Sequence, residues 1–170
     1  MNEAYQNLIN RKSVRAFTSD SISLENLQNI VRAGTFAPSA MNKQSRQFTV
    51  IQDRNIITKL EKAIEQNLNR ENYSMYGANT IILVSDEKDF SNGYADCSCA
   101  LENIFLAASS FGIGSVWINQ LKTICDIPQV REILSSLKIP DNHIVWGIAA
   151  LGYPANDLER KPRTSVVNFF

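Results

Sequence analysis

"NGYADCSCALENIFLAASSFGIGSVWIN", residues 92–119, decides the fold. From Asn92 to Phe111 no helix breaker follows Gly93, and apolar residues fall on more than one helical face. That pattern predicts a central, mostly buried helix, because a surface helix keeps one face polar. The glycines of "GIGSVWIN" then turn the chain out of the helix and into a strand.

Working outward, "TIILVSD" (80–86) is a compact apolar run and "HIVWGIAALGY" (143–153) a longer one, and both read as interior strands. "RQFTVIQD" alternates and is rich in strand formers, whereas "RNIITKLEKAIEQNLNR" places Ile57, Leu60, Ile64 and Leu68 on one helical face. Nearer the start, Leu24, Leu27, Ile30 and Val31 have helical spacing, with Ser23 as N-cap, Gly34 near the end and a stop before Pro38. Residues 2–10 form a short helix, and "PQVREILSSLK" opens another with Pro128 in its first position. Alternating strands and helices predict an α/β or α+β protein with a mixed sheet between helical layers, in one domain spanning 1–170. After Pro154 no periodic element remains, yet the chain finishes with Val166, Val167, Phe169 and Phe170. Such residues need a surface to cover: a terminal segment of this kind usually docks on its own domain, while docking on a neighbouring subunit is the sharper reading and favours a dimer.

Composition narrows the partners. With 17 Lys+Arg against 17 Asp+Glu and a formal net charge of +0, no broad field draws in nucleic acid or an anionic membrane. "MNEAYQNLIN" lacks a signal-peptide layout, and no apolar run approaches the roughly 18 residues of a membrane span, so a soluble, cytoplasmic protein is expected. Cys97, Cys99 and Cys125, an odd set, are expected as reduced thiols. Cys97 and Cys99 point about 200° apart on a helix, which argues against a metal site. His143 shares no segment with Cys125, so no Cys/His catalytic pair is inferred, and Trp117 and Trp146 read as core residues.

Three polar clusters remain. "RKSVRAF" (11–17) sets Arg11, Lys12, Ser13 and Arg15 together; charge alone describes a solvated face, but these donors beside a hydroxyl also suit a phosphate monoester. "RKPR" (160–163) adds Lys161 and Arg163 from the far end of the chain. In "APSAMNKQ" (37–44), Pro38, Ser39 and Ala40 are small enough for a flat ring to approach the backbone, while Asn42 and Gln44 supply amides for a carbonyl-and-nitrogen edge.

In this order, over nearly the whole chain, these segments resemble the FMN-dependent nitroreductases. "RKSVRAF" is similar to the family's opening motif, "APSAMNKQ" to its Pro-Ser loop, "GIGSVWIN" to its Gly-Leu-Gly-Ser turn, and "LGYP" with "RKPR" to its closing segment. The resemblance implies an α+β, nitroreductase-like fold and a homodimer with a swapped C-terminal tail and FMN at the subunit boundary. By the same likeness Arg11, Lys12, Ser13 and Arg15 would hold the phosphate and pyrimidine side, with Lys161 and Arg163 completing the phosphate pocket. Pro38, Ser39, Ala40 and Asn42 would reach the flavin from the other subunit, supported by Gln44, and Trp117, Ile118 and Asn119 would lie along the ring. NADH or NADPH would be the reductant and a nitroaromatic, quinone or similar small molecule the acceptor, with no protein acid, base or nucleophile. Two other readings stay open: a flavin-binding or regulatory protein without turnover, and a specialised relative that breaks down flavin or dehalogenates an aromatic. No G-x-G-x-x-G fingerprint distinguishes the nicotinamides. The chain departs from many relatives in having Ser45 and Arg46 where they have Pro-Trp, and in the brevity of "RENYSMYG" (70–77), which implies an open pocket.

Overall fold

Side-chain caps and apolar spacing set the helices. The computed structural model describes residues 2–157, 159 and 162–170. Helix α1 (Glu3–Asn10) starts where Asn2 accepts the Tyr5 N–H. Helix α2 (Leu24–Thr35) starts where Ser23 accepts the Asn26 N–H, and it buries Leu27, Ile30 and Gly34. It ends at Thr35, short of Pro38, because the residue before a proline is pushed out of the helical region. Asp53 caps α3 (Arg54–Asn67), which buries Ile57, Leu60 and Ile64. The long segment becomes α4 (Gly93–Ser110), and α5 (Pro128–Ser136) carries its proline at the start as expected.

Strands β1 (Gln47–Ile51), β2 (Thr80–Glu87), β3 (Gly114–Ile118) and β4 (His143–Gly152) form one sheet in the order β1-β2-β4-β3. Every pairing of these strands is antiparallel, so the expected mixture of directions reduces to an isolated parallel bridge, Ser13 with Ser115. The register gives the reason. Ile51 at the end of β1 faces Ile81 at the start of β2, so the chain that leaves through α3 returns to the same end of the sheet instead of crossing over.

The central strands β2 and β4 are covered on both faces, which is why they are nearly continuous apolar runs. One face meets α3 and α5 through Leu60, Ile64, Leu83, Val130, Leu134 and Ile148. The other meets α2 and α4 through Ile30, Ile82, Cys97, Leu101, Ile104 and Leu151. Cys97 is buried and Cys99 exposed, as opposite sides of α4 require. Close approach of α4 depends on Gly147, where an added Cβ would sit 2.5 Å from Leu101 Cδ1 and 2.6 Å from Trp117 Nε1.

Residues 13–18 run as an arm beside the sheet. The Val14 N–H donates to Ser115 O, the Thr18 N–H to Tyr153 O and the Ala155 N–H to Ala16 O. Beyond Pro154 the described residues form no helix or strand, and Val166, Val167, Phe169 and Phe170 are exposed. Among the described residues no helix is long and apolar enough to cross a membrane.

Candidate functional site

The cationic arm is seated by one close backbone contact. At Gly114 an added Cβ would lie 2.7 Å from Val14 Cγ2, so only glycine lets buried Val14 press against the start of β3. This seating brings Arg11, Lys12, Gly112 and Ser115 around a small cavity of ≈ 180 Å³ and sets Ser13 beside Ser115. Arg11 is half-buried; its Nε lies 3.5 Å from Glu102 Oε1 and its guanidinium 5.9 Å from the Phe105 ring. Lys12 Nζ meets Asp157 Oδ1 at 3.3 Å. Both ion pairs have one well-exposed partner, and such surface pairs are weak, so the bonds to Glu102 and Asp157 do not keep these cations from a more highly charged anion.

Arg15 is exposed and lies 5.9 Å from the Tyr76 ring, at the rim of a second cavity of ≈ 510 Å³. Its walls include Arg70, Tyr73, Tyr76, Trp117, Ile118 and Gln120. Segment 68–79 is pinned from below: buried Glu61 accepts the Met75 N–H at 2.8 Å and an Arg54 N–H at 2.7 Å, while Arg54 also donates to Ala78 O. Asn69, Asn72 and Tyr76 there hold left-handed backbone, with φ of 49, 52 and 58. Such strain persists where the surroundings over-determine it. Burial pushes the Tyr73 phenol up to about 12, so at neutral pH it stays protonated and donates to Gln120 Oε1 at 3.3 Å. The same oxygen accepts the Asn119 N–H at 3.0 Å, which stiffens the turn after β3.

Trp117 and Trp146 are half-buried rather than fully in the core, and neither indole N–H has a partner among the described residues. Tyr94 stacks near both, with centroids at 6.5 and 5.7 Å.

The loop 37–44 lies elsewhere, on the first turn of α4. The Ala40 N–H donates to both carboxylate oxygens of Asp96, at 3.1 and 3.0 Å. Gln44 reaches back twice: its N–H donates to Ser39 Oγ and its Nε2 to Asn42 Oδ1, which turns the Asn42 NH2 away. Met41, Asn42 and Gln44 all have φ near +54, and Met41 is 88% exposed. Lys43 pairs with Glu87 and lies 4.1 Å from the Phe90 ring centroid, and this lysine holds the Glu87 carboxyl below its ordinary range.

Two groups of predicted residues therefore form within one chain. Arg11, Lys12 and Ser13 meet the start of β3, and Arg15 lies beside the ring of Tyr76, which lines the second cavity together with Trp117 and Ile118. Pro38, Ser39, Ala40, Asn42 and Gln44 form a separate loop, anchored at Asp96, whereas Arg11 meets the same helix at Glu102, about 9 Å along its axis. Arg163 is exposed, and among the described residues no hydrogen bond or ion pair joins it to Arg11. Lys161 lies outside the described residues. Sequence reasoning noted Arg46 as a departure from relatives without giving it a role, and it missed Glu61, Tyr73 and Asp96. The signal for Asp96 was its helical spacing with Ala100 and Ile104 in "ADCSCALENIF", which puts an acid on a buried face, where an ionised group needs donors.

The model of the Nitroreductase family matches residues 8–153. A protein of Archaeoglobus fulgidus named "Putative NADH dehydrogenase/NAD(P)H nitroreductase" is 34% identical over 92% of this chain and 88% of its own length. The "FMN reductase [NAD(P)H]" of Bacillus subtilis is 25% identical over 96% of this chain and 70% of its own. Among solved structures, a nitroreductase with bound FMN from Bacteroides fragilis superposes with a TM-score of 0.91 at 35% identity, covering 99% of this chain and 100% of that one.

Proposed function

This chain belongs to the nitroreductase family, and from that premise we propose an NAD(P)H-dependent FMN oxidoreductase that works as a homodimer, each flavin cradled by two copies. One observation carries the reading: the segments that match the family's cofactor motifs are rigid in two separate places, so one copy offers two half-sites. FMN, when bound, serves as a two-electron carrier between NAD(P)H and a nitroaromatic, quinone or similar electron-poor acceptor.

The residues present suit that cofactor. Arg11, Lys12 and Ser13 provide charged and hydroxyl donors on weak, exposed ion pairs that a phosphate can take over, with Lys161 and Arg163 delivered by the tail. Lys12 or Arg15 beside the pyrimidine edge favours the negative charge of the reduced ring electrostatically. Trp117 and Ile118 line the open cavity along the ring, with Asn119 in the turn that follows; the ring's other side meets Pro38, Ser39, Ala40 and Asn42 of a second copy, with Gln44 holding Asn42 in place. No side chain acts as acid, base or nucleophile in this scheme.

The dimer reading also explains the tail. Beside edge strand β1 an apolar groove of ≈ 620 Å³ is lined by Leu24, Leu27, Val31 and Val50, two of them well exposed, and it suits the Val166 to Phe170 segment of a partner. Three unpaired thiols accord with the reducing cytoplasm.

Anaerobic titration with NADH and with NADPH tests the proposal. A yellow protein that bleaches is the expected result; colour without bleaching leaves a flavin-binding protein, and a colourless protein that refuses FMN ends the reading. Loss of the flavin spectrum in air would point instead to flavin breakdown.

A further inference from the structure

Loop 37–44 holds a conformation that its own sequence disfavours. Three of its residues, none of them glycine, sit at positive φ, where a Cβ crowds the backbone. Something outside the loop must maintain that shape. The Ala40 N–H contact to Asp96 supplies one tie and the Lys43–Glu87 pair another, while Arg46 holds the loop's backbone carbonyls: its guanidinium donates to Ala37 O at 2.8 Å, Pro38 O at 3.1 Å and Asp96 O at 2.9 Å. A planar fork reaches three carbonyls at once, which a lysine ammonium on a flexible stem does not reproduce. Because Asp96 takes part through both its carboxylate and its backbone oxygen, the loop is locked to the first turn of α4.

On the reading above, this loop meets the flavin ring, and we propose that Arg46 is a positioning residue for that ring. It acts by fixing the backbone of Pro38 to Gln44, without touching the cofactor. Arg131 is an internal control. It makes a similar fork to Pro140 O, His143 O and Asp126 on the α5 side of the sheet, where no cofactor contact is proposed.

The experiment measures Kd for FMN and for riboflavin, which lacks the phosphate, in wild type, Arg46→Lys, Arg46→Ala, Arg131→Lys and Arg163→Ala, with the melting temperature of each flavin-free protein. Both Arg46 variants are expected to weaken FMN and riboflavin by the same factor, about tenfold or more. Lysine should fail to rescue, and the visible flavin band should shift in the bound Arg46→Lys protein. Arg131→Lys lowers the melting temperature and leaves both Kd values alone, while Arg163→Ala weakens FMN only. Wild-type Kd values in Arg46→Lys overturn the proposal, as does equal weakening in Arg131→Lys. A wild-type protein that binds neither flavin overturns the proposed FMN function itself, and that outcome is read from the wild-type arm alone.

Discussion

The two faces of the sheet differ in how finished they are. On the α3 and α5 face, Leu60, Ile64 and Leu134 are fully buried, and neither helix carries a large exposed apolar side chain among the described residues. On the opposite side, α1, α2, α4 and the loop between α2 and β1 expose Tyr5, Leu8, Leu24, Phe36, Met41, Tyr94 and Phe111. The same side holds Asp96 and the loop tied to it. A surface this apolar around polar groups suits the interface that the proposed dimer requires. The contrast teaches that one face closes within a single chain, while the other keeps apolar side chains exposed around a polar loop.

Deleting residues 165–170 tests that contrast most severely. The truncated protein should sediment as a monomer and lose FMN on gel filtration, because Val166, Val167, Phe169 and Phe170 no longer bridge two copies. A truncated dimer that keeps its colour would break the comparison. On the finished face, Leu134→Ala should cost about 2–5 kcal/mol in denaturant unfolding, with the flavin Kd of the folded fraction unchanged. Gly114→Ala reports on the other side: its new methyl pushes Val14 and the cationic arm outward. Overpacking of that kind costs roughly 1–3 kcal/mol, so FMN binding should weaken by about tenfold or more while far-ultraviolet circular dichroism stays native.

The smallest expected effect is a pH dependence. Burial lowers the His143 pKa below its ordinary value; nearby Asp86 and Glu87 oppose this, and Arg131 adds to it. The unfolded chain then binds the proton more readily than the folded one, so this contribution is present above the ordinary imidazole value of 6.5 and is lost as pH falls through the lower, folded value. Melting temperature should drop over that window, and the drop should flatten in His143→Gln. Persistence of the same slope would remove His143 from the account.

Much of the fold was legible because its signals are local. Ser23 marks its helix start by accepting the Asn26 N–H, Pro128 marks its own by a fixed φ and by lacking an N–H that the first turn does not need, and the burial of β2 is written in "TIILVSD". Strand direction was not legible, since alternating strands and helices suit a crossover and a return equally; only the pairing of Ile51 with Ile81 distinguishes them. At the candidate site, Arg11 and Ser13 stood out by composition. Arg46 did not, because its partners are carbonyl oxygens that every residue carries.

What the amino-acid sequence determined alone was which segments become helix or strand, which faces turn inward, and which residue types are available to an anionic, planar cofactor. Those properties follow from chain periodicity and from side-chain chemistry. Tertiary structure decided where the donors stand relative to one another: an arm fixed against Gly114, and a loop bent into left-handed backbone by Arg46 and Asp96. Contacts between residues remote along the chain depend on backbone position, and that is set only when the layers pack.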